Sequence, residues 1–362
     1  MKKIFTYLLV CLLLVMSSTS QALALETTQL DDAYNKIVEY YQTHKALESP
    51  DDIIAVEALG LEVEKGYEIP DLESQDFESL TLGDLSKTVI ALTLIGKDPA
   101  NIKNKNLIEL LESYVLENGS IKDSYGSTTD IWVLLALESV SSDKVKIVAD
   151  HLSNDLNDDG GFWYVYGGDK FSSVDTTGWG VEALSIAGKD TYQSSIQKAI
   201  DYIATQKAEN GVYGFSANAD TQSCVLEGLF AYDTNLVSQE EIDVLLSFQL
   251  ADGSFQSEVY DENWNPTGEF TFNAYTTMEA ARCLGTYKNG SVVLKAQKAY
   301  ADLKISQQPV QNDKKEEEEK QEEKEMKEVK APQTFDNSQA IVYSFLLLVS
   351  GSLVVKGRKS FE

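Results

Sequence analysis

The amino-acid sequence predicts an all-α fold, an α/α toroid in which six helical hairpins close into a ring. Three observations lead to this prediction: a ten-residue pattern that occurs six times, amphipathic segments between its copies, and glycine turns that join the two. Similarity at intervals of a few tens of residues is typical of domains built from repeated helical units. We therefore expect one repeat domain.

The repeated pattern is the first element of this argument. In each copy the first residue is Asp or Thr, the eighth is small and the ninth is Leu. An Asp or Thr before an apolar-periodic run favours a helix N-cap, because its side-chain oxygen accepts a free backbone N–H. The small eighth residue allows a neighbouring helix to approach closely. We predict inner helices at residues 51–60, 84–93, 129–138, 176–185, 221–230 and 276–285.

Amphipathic segments alternate with these copies, and their apolar faces predict an outer layer of helices. The stretch between Leu61 and Gly83 holds Pro70 and lacks a glycine turn of the kind found elsewhere, so we expect its outer helix to be short. The predicted outer helices are residues 28–44, 103–116, 143–153, 191–206, 238–249 and 291–305.

Four turns share an order of residues: Asn or Asp, Gly, a spacer and a large apolar residue. Asn-Gly and Asp-Gly supply the positive φ that a tight turn needs. The apolar residue is expected to pack the turn onto the next helix. The turns are residues 118–121, 159–162, 210–213 and 252–255.

The last of these turns carries a family resemblance. Gln249, Asp252, Gly253 and Phe255 follow one another as in the QW-type repeat. The segment resembles the prenyltransferase and squalene-oxidase repeat of terpenoid cyclases and protein prenyltransferases. The resemblance covers residues 27–305 and implies an α/α toroid. It also implies either an Asp-x-Asp-Asp acid or an Asp/Cys/His zinc site.

Neither of these catalytic motifs is found in the sequence. The acidic stretch at residues 155–159 has the wrong spacing for the cyclase acid. The two histidines, His44 and His151, fall on predicted outer helices, away from Cys224 and Cys283 in the repeat register. We interpret both cysteines as buried thiols that do not form a disulfide.

Three segments outside residues 25–308 have separate roles. Residues 1–24 are typical of a secretory signal peptide, with a basic start, an apolar run and a small-x-small cleavage site. Residues 309–335 form a charged linker, and 336–362 contain an apolar run followed by basic residues, which predicts a membrane anchor. The protein is thus expected to be exported and held at the cell surface by its C-terminal helix.

The C-terminal end of the linker resembles a second known type of sequence. Pro332 and Thr334 lie in a segment that is similar to a Gram-positive sortase signal. It departs from that signal at Ala331, where Leu is usual, and at Phe335, where Gly is usual. Anchoring in the membrane is therefore preferred over covalent linkage to the cell wall, which stays open as an alternative.

The chain has a formal net charge of −28. This charge opposes binding to nucleic acid or to an anionic membrane surface. Neutral or cationic ligands, or a divalent metal, are compatible with it.

Charged residues at the seventh position of the repeat form one candidate site. Arg282 is expected to stand between Glu227 and Glu57, with Glu182 at the same height. A structural ion pair explains this set, since a buried charge persists only when paired. A contact to a charged ligand in the bore is the alternative.

A second candidate site is a calcium loop. Asp155, Asn157 and Asp159, followed by Gly160, match the first half of an EF-hand loop. The twelfth position is Tyr166 instead of the usual Glu. A plain turn of the repeat explains the same residues, so calcium is a possible cofactor and no other is indicated.

Aromatic residues are concentrated in the segments that lead into the inner helices. Some pack the turns, but the remainder exceed what turns need and are candidates for a ligand surface. The predicted ligand-binding aromatics are Trp132, Trp163, Trp179, Trp264, Phe272 and Tyr275.

These features together predict a binding module for a small molecule, a glycan or a protein partner, without catalysis. The alternative is an enzyme, either a terpene-cyclase-like lyase or isomerase or a glycan-degrading toroid. The missing acid and zinc motifs favour binding.

Overall fold

The computed structural model describes residues 28–263 and 265–307. The chain divides into two compact units, 1–306 and 307–362, and the description concerns the first. The predicted signal peptide, charged linker and C-terminal helix, and also Trp264, lie outside the described residues. In the described ranges, no helix combines the length and the apolar character that crossing a membrane requires.

Six inner helices form a closed ring. Each packs against the next along the chain, and the last packs against the first. Their apolar residues make up most of the core. The predicted toroid is therefore present. The inner helices are α2 (Pro50–Ala58), α3 (Leu82–Leu94), α5 (Ser127–Ser139), α7 (Val174–Gly188), α9 (Ala219–Tyr232) and α11 (Ala274–Asn289).

The inner helices begin one or two residues earlier than predicted. In α7, α9 and α11 the N-caps are Ser173, Asn218 and Asn273, and the Thr of the repeat is the third residue of the helix. The backbone N–H of that Thr donates to the cap side chain. The prediction that the repeated Asp or Thr is itself the cap was wrong, because in these three helices a polar residue three positions upstream takes this role, and in α5 the cap position is Gly126.

Five helices lie in the outer layer, and the position between α2 and α3 holds only a 3-10 turn at Leu72–Ser74. This agrees with the expectation for the stretch that contains Pro70. At most of their ends, the predicted outer helices extended beyond the observed ones. The outer helices are α1 (28–43), α4 (Leu107–Glu112), α6 (Val145–Leu152), α8 (Gln193–Thr205) and α10 (Gln239–Leu246).

Helix α12 (Val292–Gln307) does not belong to this outer layer, which corrects the prediction for residues 291–305. Lys295 pairs with Glu57 at the end of α2 (2.6 Å), and the Gln297 amide donates to the carbonyl of Glu138 at the end of α5 (3.1 Å). Helix α12 therefore crosses the C-terminal ends of the inner helices. We call this side the closed end of the ring.

Each glycine turn lies against the next outer helix. A Cβ atom on Gly119 would lie 2.0 Å from the carbonyl oxygen of Ile147, and one on Gly253 would lie 2.1 Å from that of Lys36. Both glycines also have positive φ, +84° and +93°. Glycine is required here by close approach as well as by conformation. The apolar residues of the turns are buried as expected: Ile121, Phe162, Tyr213 and Phe255.

Two antiparallel β-hairpins interrupt the helical pattern, and the all-α prediction missed them. Strands β1 (Trp163–Tyr166) and β2 (Asp169–Ser172) precede α7, while β3 (Gln256–Tyr260) and β4 (Pro266–Phe272) precede α11. Aromatic and β-branched residues favour extended backbone. The aromatic-rich segments therefore form strands at the N-terminal ends of the inner helices.

Candidate functional site

The N-terminal ends of the six inner helices form the mouth of the ring, opposite the closed end. Every exposed large aromatic side chain in the described part of the chain lies in a segment that enters one of these helices or in its first turn. We call this set the aromatic rim. Its members are Tyr125, Tyr164, Tyr166, Phe171, Phe215, Tyr260, Phe270, Phe272 and Tyr275.

Arg282 occupies the centre of the ring and is buried. Its Nε and Nη2 atoms donate to the two carboxylate oxygens of Glu227, at 3.3 and 3.2 Å, and its Nη1 lies 4.0 Å from Asp51. Burial works against the arginine charge, but Glu227 and Glu279 raise the pKa of the guanidinium above its ordinary value. The bidentate geometry is the strong form of this pair.

Glu57 does not face Arg282, in contrast to the predicted arrangement. Its carboxylate pairs with Lys295 of α12 and accepts the backbone N–H of Val63 at 2.7 Å. Side chains of a helix lean toward its N-terminus. Arg282 therefore reaches Asp51, in the first turn of α2, instead of Glu57 in its last turn.

Glu182, also predicted for the bore, lies nearer the closed end. It accepts a hydrogen bond from Ser291, the residue before α12 (2.7 Å). Burial, followed by the charge of Glu227, raises the pKa of Glu182. Residues at the seventh repeat position thus form two separate groups. Glu227 pairs with Arg282, whereas Glu57 and Glu182 lie nearer the closed end, where they contact α12 and the residue before it.

Trp132 and Trp179 lie together over Arg282. Their ring centroids are 5.9 Å apart at an edge-to-face angle of 62°. The guanidinium carbon lies 5.3 Å from the Trp132 ring and 5.8 Å from the Trp179 ring. Lys87 approaches the Trp132 ring at 4.9 Å and pairs with Asp51 at 2.8 Å. These contacts fix a cationic group between aromatic faces.

Three carboxylates near the mouth were missed by the sequence reasoning: Asp175, Asp220 and Glu279, which we call the acid cluster. Each has one buried oxygen without a hydrogen-bond partner within the described part of the chain. The indole N–H of Trp179 and the hydroxyl of Ser223 are also buried and have no hydrogen-bond partner among the described residues. Buried polar groups are usually satisfied, so these atoms call for a partner such as a ligand or water. The repeated Asp-Thr pairs at 175–176 and 220–221 were the available sequence signal.

Burial shifts each carboxyl of the acid cluster toward its protonated form. Burial raises the pKa of Glu279 to about 8; Arg282 opposes this rise, and Asp220 adds to it. Burial is also the main cause that raises the pKa of Asp175 and of Asp220. A carboxyl held neutral near pH 7 is able to donate a proton or a hydrogen bond.

Of the other predicted aromatic residues, Trp163, Phe272 and Tyr275 lie around the mouth. Trp163 on β1 donates from Nε1 to the carbonyl of Asp155 (2.8 Å), and the Lys170 ammonium lies 3.5 Å from its ring centroid. Phe272 and Tyr275 are about half exposed. Phe272 contacts the ring of Tyr40 at 6.3 Å between centroids.

The three predicted calcium ligands are engaged with other groups. Asp159 accepts from the Ser172 hydroxyl (2.7 Å), and the Asn157 amide donates to that hydroxyl (2.8 Å). Asp155 accepts from Trp163 and lies 3.3 Å from the Lys170 ammonium. These contacts fit the turn interpretation, and calcium binding stays a prediction.

No protein-family model matches the chain, and no curated protein matches it in sequence. Among solved structures, a type II terpene cyclase from Scytonema is 14% identical, with a TM-score of 0.49, and the match covers 76% of this chain and 99% of the cyclase. A polysaccharide lyase is 12% identical with a TM-score of 0.45, over 79% of this chain and 99% of the lyase.

An ent-copalyl diphosphate synthase from Streptomyces platensis is 16% identical, with a TM-score of 0.43, over 67% of this chain. The chain spans only 50% of that synthase. At these values the matches carry no conclusion on activity. The ring is defined by the contacts between its own helices.

The raised pKa values predict a pH-dependent stability. A carboxyl whose pKa is higher in the folded than in the unfolded state stabilises the fold below its unfolded pKa, and this contribution is lost as pH rises through the folded value. For Glu279 that window runs from its ordinary value of 4.5 to about 8. We expect the free energy of unfolding, measured in urea, to fall by more than about 1.4 kcal/mol across it.

Glu279→Gln is the matched control for this prediction, since the amide keeps the shape and does not titrate. Its stability should fall less steeply with pH than that of the parent. A flat or rising profile in the parent protein would contradict the raised pKa of Glu279.

Proposed function

We propose that the mouth of the ring binds a neutral or cationic glycan. The aromatic rim carries this proposal, because its exposed rings line the side of the mouth formed by α5, α7, α9 and α11, and α12 closes the opposite end of the ring. Exposed apolar surface of this extent marks an interaction site. Tyr and Phe rings offer flat faces for sugar rings, and Tyr adds a hydroxyl that forms hydrogen bonds with sugars.

The polar groups at the mouth and the charge of the chain favour a neutral or cationic ligand over an anionic one. Asp175, Asp220 and Glu279 line up with unpartnered oxygens beneath the rim, and the whole chain is strongly acidic. The strong negative charge of the whole chain would repel an anionic polymer. A neutral sugar supplies hydroxyl donors to these oxygens, and an amino sugar supplies an ammonium as well.

A second candidate function is acid-catalysed cleavage of the same ligand, and the raised pKa of Glu279 favours it. A neutral Glu279 would protonate the leaving oxygen of a glycosidic bond, and an ionised member of the acid cluster would assist as base or nucleophile. This candidate belongs to the glycan-degrading class considered above. It requires the ligand to reach past the rim to the buried carboxyl.

Such a function suits the place proposed for the protein. Residues 1–24 support export, and the segments at 309–335 and 336–362 support retention at the cell surface. The membrane helix is the preferred anchor, and the sortase-like segment is the alternative. Cell-wall and environmental glycans are abundant in that setting.

The proposal is tested by binding of three probes to the purified chain: neutral chito-oligosaccharide, cationic chitosan oligosaccharide and anionic oligogalacturonate. We expect calorimetry to detect the first two and not the third. Tyr166→Ala combined with Phe215→Ala removes two highly exposed rim residues. This double variant should bind about tenfold more weakly, as expected for the loss of two aromatic contacts.

Leu294→Ala is the matched control, since Leu294 is an exposed apolar residue of α12 at the closed end. Its affinity should equal that of the parent. Binding of oligogalacturonate alone, or full affinity in the rim double variant, would overturn the proposal. Cleaved products that the parent forms and Glu279→Gln does not would establish the catalytic candidate.

A further inference from the structure

Outside the ring centre, a histidine and two aspartates come together beside the β1–β2 hairpin. Asp130 lies in the first turn of α5, His151 in the last turn of α6, and Asp155 in the turn that follows α6. One carboxylate oxygen from each aspartate and one ring nitrogen of His151 lie within 4.8 Å of one another. Helix α5 and the C-terminal end of α6 with its following turn thus converge on one point.

Asp130 gives an independent indication of a missing partner. The residue is only 5% exposed, and its Oδ1 atom has no hydrogen-bond partner among the described residues. A buried carboxylate oxygen left unpaired is costly, since neither water nor a donor compensates for its lost hydration. A cation coordinated at this point would satisfy it.

We propose that Asp130, His151 and Asp155 form a site for a divalent transition-metal ion. A histidine nitrogen with two carboxylates is a ligand set that suits zinc and its neighbours better than calcium, which prefers oxygen ligands alone. In a tetrahedral zinc site, ligand atoms lie about 3.5 Å apart. The three atoms already lie within 4.8 Å of one another, so holding a zinc ion requires only a limited approach of their side chains.

Lys170 is a second cation-bearing partner at the edge of the cluster. Its ammonium lies 3.3 Å from Asp155 Oδ1 and supplies positive charge at the edge of the cluster. The side chain is about half exposed and extends from β2, so it is able to move away. The ion and Lys170 therefore compete for Asp155.

The site differs from the predicted calcium loop and does not depend on glycan binding. Only Asp155 belongs to both sets. Asn157 and Asp159 bond to Ser172 on the hairpin, so their loss would weaken the turn without removing a ligand of the new site. This difference allows the two sites to be separated by mutation.

The test is titration of the purified chain, prepared without a metal-affinity tag, with Zn²⁺, Mn²⁺ and Ca²⁺ in a calorimeter. We expect one Zn²⁺ per chain, with Ca²⁺ at least tenfold weaker. Asp130→Asn and His151→Gln should each weaken Zn²⁺ binding more than about tenfold, as expected when a ligand is lost. Lys170→Met should strengthen it, because the competing ammonium is gone.

Asp159→Asn is the matched control and should bind Zn²⁺ like the parent. Circular dichroism of each variant shows whether it is folded, and Lys170→Met keeps all three ligands if an aspartate variant fails to fold. No Zn²⁺ binding by the parent, or Zn²⁺ binding that is unchanged in both His151→Gln and Lys170→Met, would overturn the proposal. Calcium binding that depends on Asp159 would favour the EF-hand-like loop in its place.

Discussion

Arg282→Met should lower the free energy of unfolding by about 3–5 kcal/mol, because it leaves Glu227 buried without its partner. The Arg282 guanidinium donates twice to Glu227, lies near Asp51 and is covered by two tryptophan rings. Met fills a similar volume but supplies no charge. A thermal scan should show a melting temperature lower by on the order of 5–10 °C.

The double variant Arg282→Met with Glu227→Gln controls for this interpretation. With both charges gone, part of the lost stability should return, since the penalty arises from the unpaired carboxylate. An Arg282→Met protein that melts like the parent but binds glycan weakly would instead assign the arginine to the ligand. An unchanged melting temperature with unchanged binding would exclude both roles.

Gly228→Ala is expected to be at least as damaging, at more than about 3 kcal/mol, because a Cβ atom there would lie 2.0 Å from the carbonyl oxygen of Gly178. Helices α7 and α9 touch through backbone at this point. Neither helix can shift outward without disturbing its other neighbour in the ring. Overpacking of this kind costs about 1–3 kcal/mol in ordinary cores, and more where backbone blocks relief.

Gly83→Ala provides the comparison within another inner helix. The nearest atom to a Cβ at that position is the Thr81 hydroxyl, 3.8 Å away. Alanine there should be neutral or stabilising by up to about 1 kcal/mol. Urea unfolding of the two variants measures the difference, and equal stabilities would mean that the α7–α9 contact tolerates a methyl group.

Local patterns predicted the ring well because they repeat. The small eighth position, including Gly228, correctly indicated close helix contacts, and the Asp-Gly and Asn-Gly turns correctly placed the buried Phe162 and Phe255. Cys224 and Cys283 are buried free thiols, as expected. Each of these features depends on residues close in sequence or equivalent in the repeat.

Features that depend on long-range contact were not predictable in the same way. Residues 291–305 follow the last inner helix at the place in sequence where an outer helix is expected, and only the contacts of α12 with Glu57 and Glu138 reveal that it covers the closed end of the ring. We expected Glu57 to be the second partner of Arg282, but the Arg282 side chain points toward the N-terminal ends of the helices and lies near Asp51 instead. The tertiary fold likewise places α5 beside the end of α6 and its following turn. This packing brings His151 close to two aspartates.

The closure of α11 onto α2 governs when this protein is able to fold. Asn289 donates to the carbonyl of Ala58 across 231 residues of sequence, and Lys288 pairs with Asp31 across 257. The first hairpin therefore has no native neighbour on one side until almost the whole domain has been synthesised. An open helical array is able to fold repeat by repeat from its N-terminus, whereas this chain must delay its final packing. Contacts of such long sequence separation slow folding, so the first hairpin completes its packing only after the last inner helix is available.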